Sequence, residues 1–145
     1  MPEATQPLSL IPLIVVLFVV SFVVLWNLVV LLISAISGWR HLAGYYRAPG
    51  PFSGQKWTWQ MGWFGAARYR GVLTVGADTS GLYLDVMPLF RIGHPALFIP
   101  WSDITIEDRP AFFFPVVALQ FLQVPGVTLS LPKKLWEQVE AARNV

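Results

Sequence analysis

The sequence predicts a membrane-anchored, mainly β protein: one N-terminal transmembrane helix, then an antiparallel seven-stranded bent sheet or open barrel with a C-terminal helix. Three observations point there. Residues 8–37 contain no charged side chain. Beyond Gly50, apolar residues fall into short alternating or continuous runs between Pro, Gly, Asp and Ser, as strands and turns do. From Pro132 onward the spacing becomes that of an amphipathic helix.

An α-helix rises about 1.5 Å per residue and a bilayer's hydrocarbon core is about 30 Å thick, so about 20 apolar residues cross it. With Pro12 in the first helical turn, where its missing N–H is no loss, residues 13–36 extend about 36 Å, enough to span with some tilt. A cleaved secretory signal needs a basic start and a much shorter apolar core, and residues 1–7 hold no Lys or Arg. Residues 1–7 are therefore a short tail and residues 8–37 an anchor. Arg40, Arg47, Lys56, Arg68 and Arg70 follow with no Asp or Glu before Asp78, whereas the tail carries only Glu3. Positive loops stay in the cytoplasm, which puts the N-terminus outside and the C-terminal domain inside. Residues 38–55 read as a juxtamembrane segment and Pro/Gly-rich linker, with Trp39, Arg40, His41, Tyr45 and Tyr46 as a belt at the inner interface.

Residues 56–145 form the domain. Trp57, Trp59, Met61 and Trp63 alternate along a first strand at residues 56–63 and should share its buried face. Further strands fall at residues 68–75, 82–86, 97–101, 104–107, 116–122 and 127–131, with turns at residues 78–81 and at Pro125-Gly126. In the closing helix, residues 132–143, Leu135, Trp136, Val139 and Ala142 share one face. One helix cannot cover a parallel sheet of this size, so the sheet is antiparallel. The chain has no Cys, which excludes disulfides, thiolate metal sites and Cys nucleophiles.

Seven strands plus a C-terminal helix resemble the pleckstrin-homology-like domains, including GRAM-like and bacterial versions. Tyr69-x-Gly71-x-Leu-x-Val, Gly81-Leu-Tyr-Leu, Phe90-Arg91-x-x-His94-Pro95 and Ile99-Pro-Trp101-x-Asp103-Ile104 are similar to a pattern in small bacterial single-span membrane proteins. The resemblance covers roughly residues 42–106 and implies a fold and a bacterial inner-membrane location, but no activity.

Arg68 and Arg70, two apart, share a strand face, and Lys56 begins the strand expected to pair with theirs. Basic residues on the first two strands hold phosphates in eukaryotic pleckstrin-homology domains, so Lys56, Arg68 and Arg70 are candidate contacts for an anionic lipid or phosphate. The simpler reading is that they are solvated positions of a half-exposed sheet drawn to an anionic leaflet. Asn27, the strongly polar residue of the span, and the small-xxx-small pair Ser34 and Gly38 are candidate helix–helix contacts. Phe112, Phe113 and Phe114 between two prolines cannot all point inward and should meet the bilayer or a partner. His94 reads as a turn residue packed around residues 99–101, and His41 as interfacial: a pigment or haem ligand usually lies within the span, which has no His. Asp103, Glu107 and Asp108 beside Arg109 read as an acidic patch. No GxSxG, P-loop, GxGxxG or metal-ligand spacing occurs. A domain net charge of about +3 on a membrane-tied module is a weak electrostatic footprint for nucleic acid.

These residues point to binding rather than catalysis, with no cofactor, metal or small-molecule substrate expected. The expected partners are membrane lipids and other integral membrane subunits. The first expectation is an accessory or scaffolding subunit of a larger membrane assembly, for instance a photosynthetic or respiratory complex. The second is a lipid-surface sensor working through the basic strand face.

Overall fold

A computed structural model describes residues 6–109 and 115–144. The long helix α1 (Gln6–Ser37) is followed by a short helix α2 (Trp39–Tyr46). Seven strands come next: β1 (Gln55–Phe64), β2 (Ala67–Ala77), β3 (Gly81–Val86), β4 (Leu97–Pro100), β5 (Ile104–Arg109), β6 (Val116–Phe121) and β7 (Val124–Pro132). Helix α3 (Lys133–Arg143) closes the described chain, and single 3-10 turns occupy Pro88–Phe90 and Trp101–Asp103. The expected architecture of apolar helix, seven antiparallel strands and closing helix is the observed one.

Within α1, Leu10–Ser37 is long and apolar enough to cross a membrane by length and composition. The helix is already formed at Gln6, so Pro12 lies inside it rather than in its first turn. Gly38, at φ +87, ends α1 and starts α2 in a left-handed conformation that favours glycine.

The strands form one sheet in the order β4-β3-β2-β1-β7-β6-β5, every observed pairing antiparallel. β1 pairs with β2 along its length but with β7 only through Trp63 and Phe64, so the sheet turns sharply there into a nearly closed shape. Asp78 fixes the β2–β3 turn by accepting from the Ser80 and Gly81 amides at 2.8 and 3.0 Å. α3 buries Leu135, Trp136, Val139 and Ala142, the four residues its periodicity marks.

Three expectations need correction. First, the register of β1 shifts between Trp57 and Gln60, and Trp59 stands at φ +60 with its side chain exposed. A bulge inserts an unpaired residue and reverses which side chains face inward. Trp57 packs against the core, but beyond the bulge Gly62 and Phe64 are the buried positions, not Met61 and Trp63. Second, residues 38–55, expected as a juxtamembrane segment and linker, pack onto the domain rather than standing apart from it. α2 drives Trp39, Leu42 and Tyr46 into the core, and residues 47–52 are strapped over the sheet. Arg47 bridges to Leu97, the Ala48 amide donates to the Ala96 carbonyl at 2.8 Å, and Phe52 stacks on Tyr83 at 4.7 Å. Third, His94 lies beneath Trp39 and Tyr69, not around residues 99–101.

Candidate functional site

The joint between α1 and the β domain gathers most of the polar chemistry that the fold leaves buried. The segment after β3, residues 87–94, turns back along the last three turns of α1. Trp26 donates its indole N–H to the Leu89 carbonyl at 2.9 Å and packs its ring on Phe90 at 5.1 Å. Two turns on, Ser34 donates its hydroxyl to the Gly93 carbonyl and is buried. Gly93 (φ +70) brings its backbone so near α1 that an added Cβ would stand 2.8 Å from Leu31 Cδ2. Gly38 is equally confined, against the Val127 side chain of β7.

Beneath these contacts runs a buried polar chain. His94 Nδ1 lies 3.1 Å from the Ile92 carbonyl, which can only accept, so Nδ1 carries the proton. Nε2 is then an acceptor, and the Tyr69 hydroxyl 2.7 Å away donates to it. Tyr69 in turn accepts from the Ser37 hydroxyl at 2.9 Å. Burial pushes the Tyr69 phenol up to about 12, with the Ser37 hydrogen bond acting weakly the other way. Burial lowers the His94 pKa, against smaller opposing effects of the Ile92 and Phe90 carbonyls. Both groups are held neutral, as this hydrogen-bond order requires. One residue from α1, one from β2 and one from the loop are thus tied together, with Trp39 packed over the His94 ring.

Two clefts border Pro88. The first, about 540 Å³, lies between α1 and the loop and is lined by Phe22, Val23, Trp26, Asn27, Pro88 and Leu89. The second, about 280 Å³, opens on the outer sheet surface and has Lys56, Trp59, Tyr83, Asp85 and Arg91 among its walls. Asp85 is buried and fully engaged. It accepts from the Tyr83 hydroxyl at 3.0 Å, the Val86 amide at 2.8 Å and Arg91 Nη2 at 3.2 Å. Burial, then the Asp85 charge, pushes the Tyr83 phenol up to about 12, so it remains a donor. Lys56 sets its ammonium over the Tyr83 ring, 5.4 Å from the centroid.

The expected site residues are redistributed. Lys56 lies opposite Gly76, whereas Arg68 lies opposite Trp63, eight positions away along β2. At about 3.3 Å per residue that is over 25 Å, so Lys56 does not converge with Arg68 and Arg70. Arg68 instead packs over Trp63 and donates to Met61 Sδ at 3.5 Å. Ser34 and Gly38 contact the protein's own domain rather than standing free for another helix. Asn27 donates its amide to the Val23 carbonyl at 2.9 Å and lines the apolar cleft. Of the belt residues, Arg40, His41 and Tyr45 are exposed along α2, while Trp39 and Tyr46 are core. Tyr46 donates to Asp103 at 2.9 Å and accepts from the Gln123 amide at 3.0 Å, so its hydroxyl is spent inside the domain. Glu107 pairs with Arg109 at 3.3 Å and Asp108 with Lys133 at 3.9 Å, leaving Asp103 apart from both. Phe112, Phe113 and Phe114 lie outside the described residues.

Sequence reasoning missed Trp26, Leu89 and Arg91. Arg91 stands in the Phe90-Arg91 pair, but only the fold carries it to Lys56. No family model, curated protein or solved structure matches the chain.

Proposed function

We propose that this chain is a single-span inner-membrane protein, N-terminus outside and a pleckstrin-homology-like domain in the cytoplasm, serving as a non-enzymatic accessory subunit of a larger membrane assembly. The charge asymmetry between Glu3 and the basic run from Arg40 to Arg70 supports the orientation. The strand count and closing helix support the domain type.

One observation carries the reading. The last three turns of α1 wear the β domain on one side, through Trp26, Val30, Ser34 and Ser37. On the opposite side Leu25, Leu28, Val29, Leu32 and Ile36 form an exposed apolar stripe. At about 100° per residue these five fall within about 100° of one another. α1 has 32 residues, about 48 Å of helix, and a hydrocarbon core absorbs only about 30 Å. With residues 8–27 in the core, Trp26 and Asn27 stand at its inner edge, where their polar groups and the loop's backbone are tolerated. Leu28 to Ile36 then emerge where lipid tails no longer cover them. An apolar stripe beside a docked domain is the surface for a neighbouring subunit's helix.

A photoreactive residue at Leu32 tests this. In native membranes it should crosslink to another polypeptide, and Leu28→Ser with Leu32→Ser should release co-purifying subunits while the domain stays folded. Purification from mild detergent as a lone monomer, with label found only on lipid, would refute the assembly reading.

A further inference from the structure

We infer that the two clefts meeting at Pro88 form one binding site for an anionic glycerophospholipid of the inner leaflet, its acyl chain against α1 and its phosphate between Lys56 and Arg91. The inference rests on the proposed spanning of α1 with the domain on the inner side, but not on the subunit reading.

The apolar half is formed by side chains that belong in lipid. Phe22, Val23 and Trp26 supply the helix wall, and Leu89, 66 % exposed, faces them from the loop. Phe22, Val23 and Leu89 are exposed, and Trp26 is half-buried against Phe90. The Trp26 N–H to Leu89 carbonyl bond fixes the loop's height along the helix, and on a span counted from Leu8 about 30 Å runs out near Trp26. An indole with its polar atom satisfied and its ring against Phe22 and Phe90 is typical of the headgroup boundary. The loop tip therefore enters the leaflet at the depth where an acyl chain joins its glycerol. A cleft of about 540 Å³ there is filled by lipid, not by water.

Across Pro88 the chemistry changes to what a phosphate needs. Arg91 spends one nitrogen on Asp85 and is otherwise exposed, leaving guanidinium donors open to the cleft. Lys56 has no carboxylate partner among the described ion pairs. Asp85 is the acid in this wall, and its charge is taken up by Tyr83, the Val86 amide and Arg91 itself. It therefore orients Arg91 more than it repels an anion. Lys56 and Arg91 against the one carboxylate leave the wall a net charge of +1, carried by Lys56, which favours an anionic headgroup over a zwitterionic one. Trp59 completes the wall, 68 % exposed at φ +60. A non-glycine residue held in this strained region with its ring in solvent is not explained by packing. The bulge in β1 sets that backbone and turns the ring to the cleft, where it lies along a headgroup.

The test is native mass spectrometry of the full-length protein released from mild detergent. Phosphatidylglycerol and phosphatidylethanolamine are supplied at equal concentration. One phosphatidylglycerol should be retained per chain, at least tenfold in preference to phosphatidylethanolamine. Lys56→Gln, which leaves the Asp85–Arg91 pair intact, and Val23→Trp, which fills the apolar cleft, should each weaken retention at least tenfold. Arg68→Gln with Arg70→Gln should not. Millimolar glycerol phosphate should fail to displace the lipid, because it lacks the chain. Equal retention of both lipids, no effect of Lys56→Gln and Val23→Trp, or full displacement by glycerol phosphate would each overturn the site. Alkaline carbonate extraction separates the two failures. A chain that stays in the membrane yet retains no lipid defeats this site alone, whereas a chain washed into solution defeats the spanning reading with it.

Discussion

His94 is a buried imidazole, held by the Tyr69 hydroxyl and the Ile92 carbonyl with the Trp39 ring packed on it. Burial lowers its pKa below the usual 6.5, so the folded chain resists the proton that the unfolded chain accepts. Between the folded value and 6.5 the unfolded state binds more protons, and stability rises with pH across that window. His94's neutral contribution is thus fully present above about pH 6.5 and is lost as pH falls below it. Thermal unfolding of the detergent-solubilised protein should show the midpoint falling from pH 7 to pH 5. His94→Gln should lower the midpoint at pH 7 and flatten that slope. An unchanged slope would assign the pH dependence to other groups. The sequence displayed His94 and Tyr69 but gave no sign that they meet, because a hydrogen bond between residues 25 positions apart leaves no local pattern.

Elements were legible where one force decides them. Every strand and α3 follow from periodicity and turn residues, because burial of one face dictates the spacing. α2 was not, since eight residues of helix directly after a long apolar run give no separate signal, and Trp and Tyr suit a core as well as an interface. The inward face of β1 failed at its bulge, which no residue type announces. The turn between α1 and α2 shows how narrowly such a joint is specified. Gly38 combines φ +87 with contact against Val127, whereas Gly44 inside α2 has open space around the site of a Cβ. Gly38→Ala should therefore lose about 2 kcal/mol or more through backbone strain and crowding. Gly44→Ala should gain about 0.5–1 kcal/mol from helix propensity. Denaturant unfolding of both variants measures the contrast, and equal effects would show that the joint tolerates a side chain.

At the scale of the whole molecule, a helix longer than a bilayer is thick must put its surplus somewhere. On the spanning reading proposed above about 18 Å of α1 is surplus, and the domain lies beside α1 from Trp26 to Gly38. The attachment is made at three levels: Trp26 to Leu89, Ser34 to Gly93, and Ser37 to Tyr69 and His94. Three contacts along one helix face remove both swing and rotation, which a single flexible linker would leave free. The sequence read as the latter because residues 47–54 have a linker's composition, yet the strap they form lies downstream of the joint. In the proposed arrangement a domain locked this way would present one surface to the bilayer and one stripe to a neighbour, the geometric condition that both the scaffold and the lipid site require. Spin labels at Leu17→Cys on α1 and Gln138→Cys on α3, measured by pulsed dipolar spectroscopy in nanodiscs, should give one narrow distance distribution. Trp26→Ala, which removes both the hydrogen bond and the ring contact at the far end of the joint, should broaden it while the domain itself stays folded. A broad distribution in the unmodified chain would mean that the helix merely tethers the domain, and neither the stripe nor the cleft would then have a fixed place at the membrane.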